Sequence, residues 1–235
     1  MGGFPEKADV LILGAGPAGL CAALRLLELG HTVALIEKET FPRPQIGESL
    51  SGGIRNIFSY LNADSLLDDP SYIHNLPANI IWESRETVFR HPEKNTGGLV
   101  VDRACLDQKM LQLALSKGLY LLQPAALKLS KYTDENNWIS EIIYNNQSIP
   151  FYSKIVLDAR GRKGVQAKER VVIAPTSVAV WTHIDSRFMP QLTLVEAIHS
   201  GWLWGSPLPK NRYRIMAFTE GSTLKRNRDA YLKIG

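Results

Sequence analysis

Residues 14–19 read Gly-Ala-Gly-Pro-Ala-Gly, a G-x-G-x-x-G run set between an apolar stretch and a helix-forming one. Val10, Leu11, Ile12 and Leu13 precede it as the short continuous apolar run of a strand buried on both faces of a parallel sheet. Pro17 suits a first helical turn, where its missing N–H would have no intrahelical partner, and the helix is expected to run to about Leu29 and stop at Gly30. Thr32–Ile36 gives a second buried strand ending in Glu37. Each part has a task in holding a dinucleotide. Gly14 permits the tight turn, Gly16 lets a pyrophosphate approach the backbone, and Gly19 allows close packing of helix and strand. The helix N-terminus offers free N–H groups and partial positive charge to the phosphates. Glu37, 18 residues past Gly19, is placed to accept hydrogen bonds from a ribose hydroxyl. The candidate cofactor-binding set therefore starts with Gly14, Ala15, Gly16, Pro17, Ala18, Gly19, Glu37 and the adjacent Lys38. The alternative is a βαβ turn with a purely structural role.

A chain of 235 residues is long enough to bury a real core, as one large domain or two small ones. Its 45% hydrophobic and 21% charged residues are those of an ordinary soluble globular protein. The net charge of +4 is too mild, and the aromatic-plus-basic patches too few, to argue for nucleic acid. Cys21 and Cys105 have no metal-ligand spacing, so no metal site is expected and a reducing, cytoplasmic setting fits. The segment before the first strand is short and polar, and no stretch approaches transmembrane length. The five histidines show no paired spacing, and no nucleophile–base arrangement is evident.

Beyond Glu37 the pattern changes. The prolines at 42 and 44 forbid a helix, so residues 41–50 form an extended loop. A helix follows, with Ile54, Ile57, Phe58 and Leu61 on one face. Asn79–Glu83 and Thr87–Arg90 read as a pair of short strands, and Asn95–Gly98 as a turn. The next helix places Leu106, Met110, Leu113 and Ala114 together. Strands are expected at 120–122, 126–132, 138–144 and 149–151, the second and third of these closed as a hairpin by 134–137. Lys154–Leu157 reads as another buried strand ending in Asp158-Ala159-Arg160-Gly161-Arg162, at the carboxyl edge where ligands of open α/β sheets bind. From Val171 onward, 178–184, 192–198, 202–204 and 212–218 read as successive antiparallel strands of a second sheet. Residues 223–235 look like the start of a polar helix.

Four stretches taken together resemble the flavin-dependent monooxygenases of the hydroxylase type, and within them the halogenase-like branch. They are Gly14–Gly19 with Glu37; Phe41-Pro42-Arg43 with Gly47-Glu48-Ser49-Leu50; Asp102-Arg103-Ala104 with Leu106-Asp107; and Asp158–Arg162, similar to a D-A-S-G-R motif. Gly201-Trp202-Leu203-Trp204-Gly205-Ser206-Pro207-Leu208 is similar to the G-W-x-W-x-I-P-L segment of the halogenase branch. The resemblance implies an α/β fold, a Rossmann-like FAD/NAD(P)-binding three-layer domain with an interleaved, mostly antiparallel substrate-domain sheet. It divides the chain into 5–74 and 99–168 for FAD and 75–98 and 169–235 for substrate. It implies FAD as cofactor, with NAD(P)H or a separate flavin reductase as electron source. Ser49, Arg103, Asp158 and Gly161 join the cofactor set on this ground, with Arg103 neutralising phosphate charge.

Glu48 is the candidate proton-handling group, with capping of the following helix as its alternative. Asp158 either serves the flavin or caps the turn at Gly161. Trp202 and Trp204 share one face of a strand, and either wall a substrate channel or pack a core. The departures from the family also carry information. Residues 74–82 contain no lysine, where halogenases carry the catalytic amine that handles hypohalous acid, so oxygenation is expected in place of halogenation. Ser206 stands where the branch has isoleucine, and the family's later G-D segment is absent from these 235 residues. The expected reaction is oxygen transfer from O₂ to an aromatic small-molecule or peptidyl substrate, tryptophan-type rings among them. The alternatives are a flavin-dependent isoprenoid reductase or cyclase and a non-catalytic, truncated FAD-binding relative.

Overall fold

A computed structural model describes residues 4–82, 84, 86–91, 98–133, 137–164 and 171–222. The expected turn at 95–97, most of the hairpin closure at 134–137 and the expected helix at 223–235 lie outside them. In chain order the elements are β1 (Lys7–Leu13), α1 (Pro17–Glu28), β2 (Val33–Ile36), β3 (Ser49–Leu50), α2 (Ile54–Tyr60), β4 (Ile73–His74), β5 (Ala78–Ile81), β6 (Val88–Arg90) and β7 (Leu99–Val100). Then follow α3 (Arg103–Ser116), β8 (Tyr120–Leu122), β9 (Ala125–Tyr132), β10 (Trp138–Tyr144) and β11 (Gln147–Asp158). The last four are β12 (Ser177–Asp185), β13 (Thr193–Ile198), β14 (Gly201–Leu208) and β15 (Arg212–Glu220). Among the described residues, no helix is long and apolar enough to cross a membrane.

The chain divides into two compact units. The first comprises 1–46, 59–66 and 103–170, and the second 47–58, 67–102 and 171–235. Residues 47–58, 67–74 and 99–102, expected with the dinucleotide motif, thus group with the second unit.

In the first unit one sheet runs β8-β2-β1-β11-β10-β9. Its first four strands are parallel, and β10 and β9 are antiparallel additions. Every residue of β2 is buried, as its unbroken apolar run requires. Leu11 and Leu13 of β1 pack with Ala34, Ile36, Ile142 and Phe151, so the antiparallel strands cover one side of the parallel ones. Helix α1 ends at Gly30, whose φ of +85° closes the turn while the His31 N–H donates to the Leu26 carbonyl.

Two expectations need correction here. The segments at 149–151 and 154–157 are one 12-residue strand, β11, which runs straight through Pro150. Pro150 is tolerated because β1 begins its pairing only at Tyr152, so no ladder on that side needs its missing N–H. The carboxyl half of β11 is also not buried on both faces, since Ile155 is half exposed. In α3, Leu111 and Asp107 are buried along with Leu106, Met110 and Ala114.

In the second unit a mixed sheet runs β12-β15-β14-β13-β5-β6, and β3, β7 and β4 form a small separate sheet. The four late strands are not neighbours in chain order, because β12 pairs with β15 and not with β13. On the far side of β13 lies β5, parallel to it and carrying β6 antiparallel. The ladder continues through residues 205–208, well past Trp204. Gly205 is required there, since a Cβ would lie 2.8 Å from the fully buried Tyr213 ring. The Tyr213 hydroxyl donates to the Leu192 carbonyl at 3.1 Å, and burial pushes its pKa up to about 12. In α2, Phe58 is buried but Ile57 is half exposed, so that helix has a narrower apolar face than its spacing suggested.

Candidate functional site

The glycine turn of the first unit is built by backbone crowding. Gly14 has φ +100°, and a Cβ on it would come within 3.0 Å of the Ala159 carbonyl in the segment after β11. A Cβ on Gly19 would lie 1.9 Å from the Gly14 carbonyl, so this helical position accepts nothing larger. Gly16 differs, because a Cβ there meets nothing within 4 Å. It lies on a cavity of about 490 Å³, within the usual range for small-molecule sites. Gly16 is also the N-cap of α1, which has no side-chain cap and no acidic residue in its first turn. That helix end therefore presents positive potential with no carboxylate of its own.

Glu37 is 4% exposed and tightly held. Its Oε2 accepts the Ala15 N–H at 2.8 Å, and its Oε1 accepts the Glu39 N–H at 3.0 Å. Each oxygen keeps a second lone pair for another donor. The cavity lining carries four cationic side chains, Lys38, Arg43, Arg103 and Arg160, against this one carboxylate. The four differ in availability. Lys38 is largely exposed and pairs with Glu39 at 2.7 Å. Arg103 grips the buried Asp107 through Nε at 2.9 Å and Nη2 at 3.0 Å, and its Nη1 donates to the Ile46 carbonyl. Arg160 forks onto Asp158 at 2.8 and 2.7 Å, and that carboxylate pushes its pKa further up. Arg43 donates from Nη2 to the Ala15 carbonyl at 3.3 Å and lies 3.7 Å from Glu37. Its buried Nε has no hydrogen-bond partner among the described residues. A buried, orphaned guanidinium N–H beside an open glycine and a bare helix N-terminus suits an anionic ligand. These residues fit the pyrophosphate and ribose of an FAD.

The second unit holds a different constellation. Register pairing puts Trp181, Met216, Trp204, Val195 and Ile80 in one row across the sheet, on a single face. In the next row, Trp202 stacks on Phe218 with centroids 3.8 Å apart and planes 3° from parallel, and Trp82 meets Trp202 edge-on at 6.2 Å. Trp82 and Trp181 are each about half exposed. The row on the other side is polar, running His183, Arg214, Ser206 and Thr193. Arg214 is 4% exposed and Glu48 6%. They meet at 2.7 Å, and the Arg214 guanidinium lies 4.5 Å over the Trp181 ring. Arg214 also donates from Nε and Nη2 to His183 Nε2, at 3.1 and 2.7 Å.

Residues 9–74 match the family described as FAD binding domain. A tryptophan 2-halogenase of Chondromyces crocatus is 26% identical over 87% of this chain and 42% of its own length. A 1H-pyrrole-2-carbonyl-[peptidyl-carrier protein] brominase of Pseudoalteromonas luteoviolacea is 26% identical over 86% of this chain and 52% of its own. Among solved structures, a flavin-dependent halogenase superimposes with a TM-score of 0.84 at 24% identity, over 97% of this chain and 45% of that one. The chain is similar to flavin-dependent halogenases. It spans about half the length of the curated relatives it matches.

The expected site residues of this chain sort into four groups. Gly14, Gly16, Pro17, Ala18, Glu37, Lys38, Arg103 and Gly161 line the one cavity, while Ala15 and Gly19 shape it from behind. Asp158 does not line it and acts on it through Arg160. Glu48 and Ser49 belong to the second unit, where Ser49 pairs with Val100 and Glu48 holds Arg214. Trp202 and Trp204 share a face as alternation requires, and Trp202 is part of an aromatic stack. Arg43, which lines the cavity, stood in the Phe41-Pro42-Arg43 motif without a binding role assigned to it, and motif spacing did not single out the set of Trp82, Trp181, His183 and Arg214. The alternation of Trp181 and His183 along β12 was the one available signal for the second set. Among the described residues no group of His, Cys, Asp and Glu is placed to hold a metal.

Proposed function

We propose that this chain carries the FAD site and an aromatic substrate surface of an FAD-dependent monooxygenase acting on an electron-rich ring. The observation that carries the cofactor part is the cavity at Gly16, with the orphaned Arg43 Nε and the uncapped α1 N-terminus beside it. The turn N–H groups, α1 and Arg43 hold the pyrophosphate, Glu37 accepts from the adenosine ribose, and Arg103 and Arg160 add positive potential. Bound FAD supplies the redox and oxygen-activating chemistry, with electrons from NAD(P)H or a partner reductase. The chain's own residues bind and orient. On the second unit, Trp202, Trp204 and Trp181 offer flat apolar area to a ring. Glu48 serves there as the buried counter-ion that seats Arg214. Oxygenation is favoured over halogenation because 74–82, resolved as β4, a turn at Asn75 and β5, contains no lysine. Small-molecule and carrier-bound aromatics both remain in the substrate class.

The test is the visible spectrum of the purified chain, before and after loading with FAD and gel filtration. Retained flavin absorbance is expected, and loss of it in Arg43→Ala at unchanged far-UV dichroism. A folded chain that never holds FAD refutes the cofactor assignment.

A further inference from the structure

His183 is held in one protonation state by its neighbour. A guanidinium has donors only, and two Arg214 N–H groups converge on Nε2 of His183. Nε2 must therefore hold the lone pair, which leaves the ring proton on Nδ1. Burial and the charges of Arg214 and Arg212 push the imidazole pKa down, with Glu48 alone opposing. The ring is accordingly neutral near pH 7. It lies edge-on to Trp181 with centroids 5.3 Å apart, at the border between the aromatic rows and the polar row. The ring is half-buried, and the hydrogen bonds it makes among the described residues both run through Nε2, to Arg214. The nearby charge is unbalanced, since Arg212 and Arg214 face the single carboxylate of Glu48, and Asp185 is taken by Arg187 at 2.5 Å.

We propose that the Nδ1–H of His183 is the polar recognition group of this aromatic face, and that its ligand is an aromatic ring bearing an oxygen acceptor. The ring lies on the Trp181–Trp204 row, and a phenolic or carboxylate oxygen accepts from Nδ1. An acceptor with negative charge is favoured by the excess of arginine. A purely hydrocarbon ligand such as an isoprenoid chain leaves the donor unmatched, so the arrangement selects against it. This rests on reading the face as a substrate surface, as above.

Equilibrium dialysis of the full, FAD-loaded chain against 2-naphthol, 2-naphthoate and 2-methylnaphthalene tests the assignment. One matched hydrogen bond predicts that an oxygenated probe binds about fivefold more tightly than the hydrocarbon. His183→Met keeps a weak sulfur acceptor toward Arg214 and carries no N–H donor. The preference should then fall below about twofold, with methylnaphthalene affinity unchanged. Equal binding of all three probes by the unsubstituted chain, or a preference that survives His183→Met, overturns the proposal. Naphthol against naphthoate tells which oxygen is read. If no probe binds, the substrate-surface reading fails with it, and the flavin spectrum of the same samples reports independently on the cofactor site.

Discussion

The two candidate sites are made in opposite ways. The cavity of the first unit is mostly backbone. Gly14, Gly16 and Gly19 act through what they lack, and Glu37 is fixed by the turn's own Ala15 N–H. Its central parts lie within a single strand–turn–helix–strand run, residues 10–43. The constellation of the second unit is made of side chains, and its three ionisable members come from residues 48, 183 and 214. A backbone site tolerates exchange of most side chains around it but no added Cβ where main chain meets main chain. A side-chain site tolerates backbone changes, but every buried charge in it depends on its partner.

The largest expected effect tests the backbone half of this contrast. Gly19→Val forces a side chain onto the Gly14 carbonyl and should destabilise the first unit by on the order of 3 kcal/mol or more, read by urea titration. An unchanged midpoint would break the claim that the turn is set by main-chain contact. Next, Glu48→Ala leaves Arg214 buried without its counter-ion and should cost roughly 3 kcal/mol. The double variant Glu48→Leu with Arg214→Leu should recover most of that loss, because an apolar pair replaces both charges. Failure to recover would place the effect elsewhere than in the ion pair.

Trp202→Ala removes the stack on Phe218 and should cost about 1–2 kcal/mol in the same assay. Gly16→Ala sharpens the comparison from the other side. Its Cβ enters open space, so stability should shift by less than about 1 kcal/mol, toward higher stability, while FAD retention falls at least about tenfold. The smallest effect is in pH. His183 has its folded pKa lowered from the ordinary 6.5, so its neutral form is the one the fold prefers. Its contribution is complete above about pH 6.5 and is lost as pH falls through the depressed folded value. His183→Gln should flatten the slope of the chevron-derived stability below pH 6.5, and an unchanged slope would show that another group titrates there.

Legibility in the sequence follows the same division. The strands around the glycine turn, its helix and its C-terminal glycine were readable because each is dictated by residues within a few positions of itself. The pairing of β12 with β15, three strands on in chain order, was not readable, since alternation says which face a residue takes and not which strand lies beside it. Pro150 is a related case. In the sequence 149–151 and 154–157 read as separate strands, and only the point at which β1 begins to pair shows how one continuous strand accommodates Pro150. Asp107 reads as a polar interruption of the apolar face of α3, yet it is fully buried because Arg103, one turn earlier, folds onto it.

By itself, then, the sequence determined a nucleotide-holding turn and the family to which its motifs point. Glycine spacing, an acidic strand end and apolar runs act over one or two turns of chain, where local sterics leave few alternatives. Tertiary structure alone decided that Glu48 meets Arg214, that Arg214 orients His183, and that four tryptophans of the second unit share one face. Those contacts join residues up to 166 positions apart, and such distances close only when a whole sheet has taken its register.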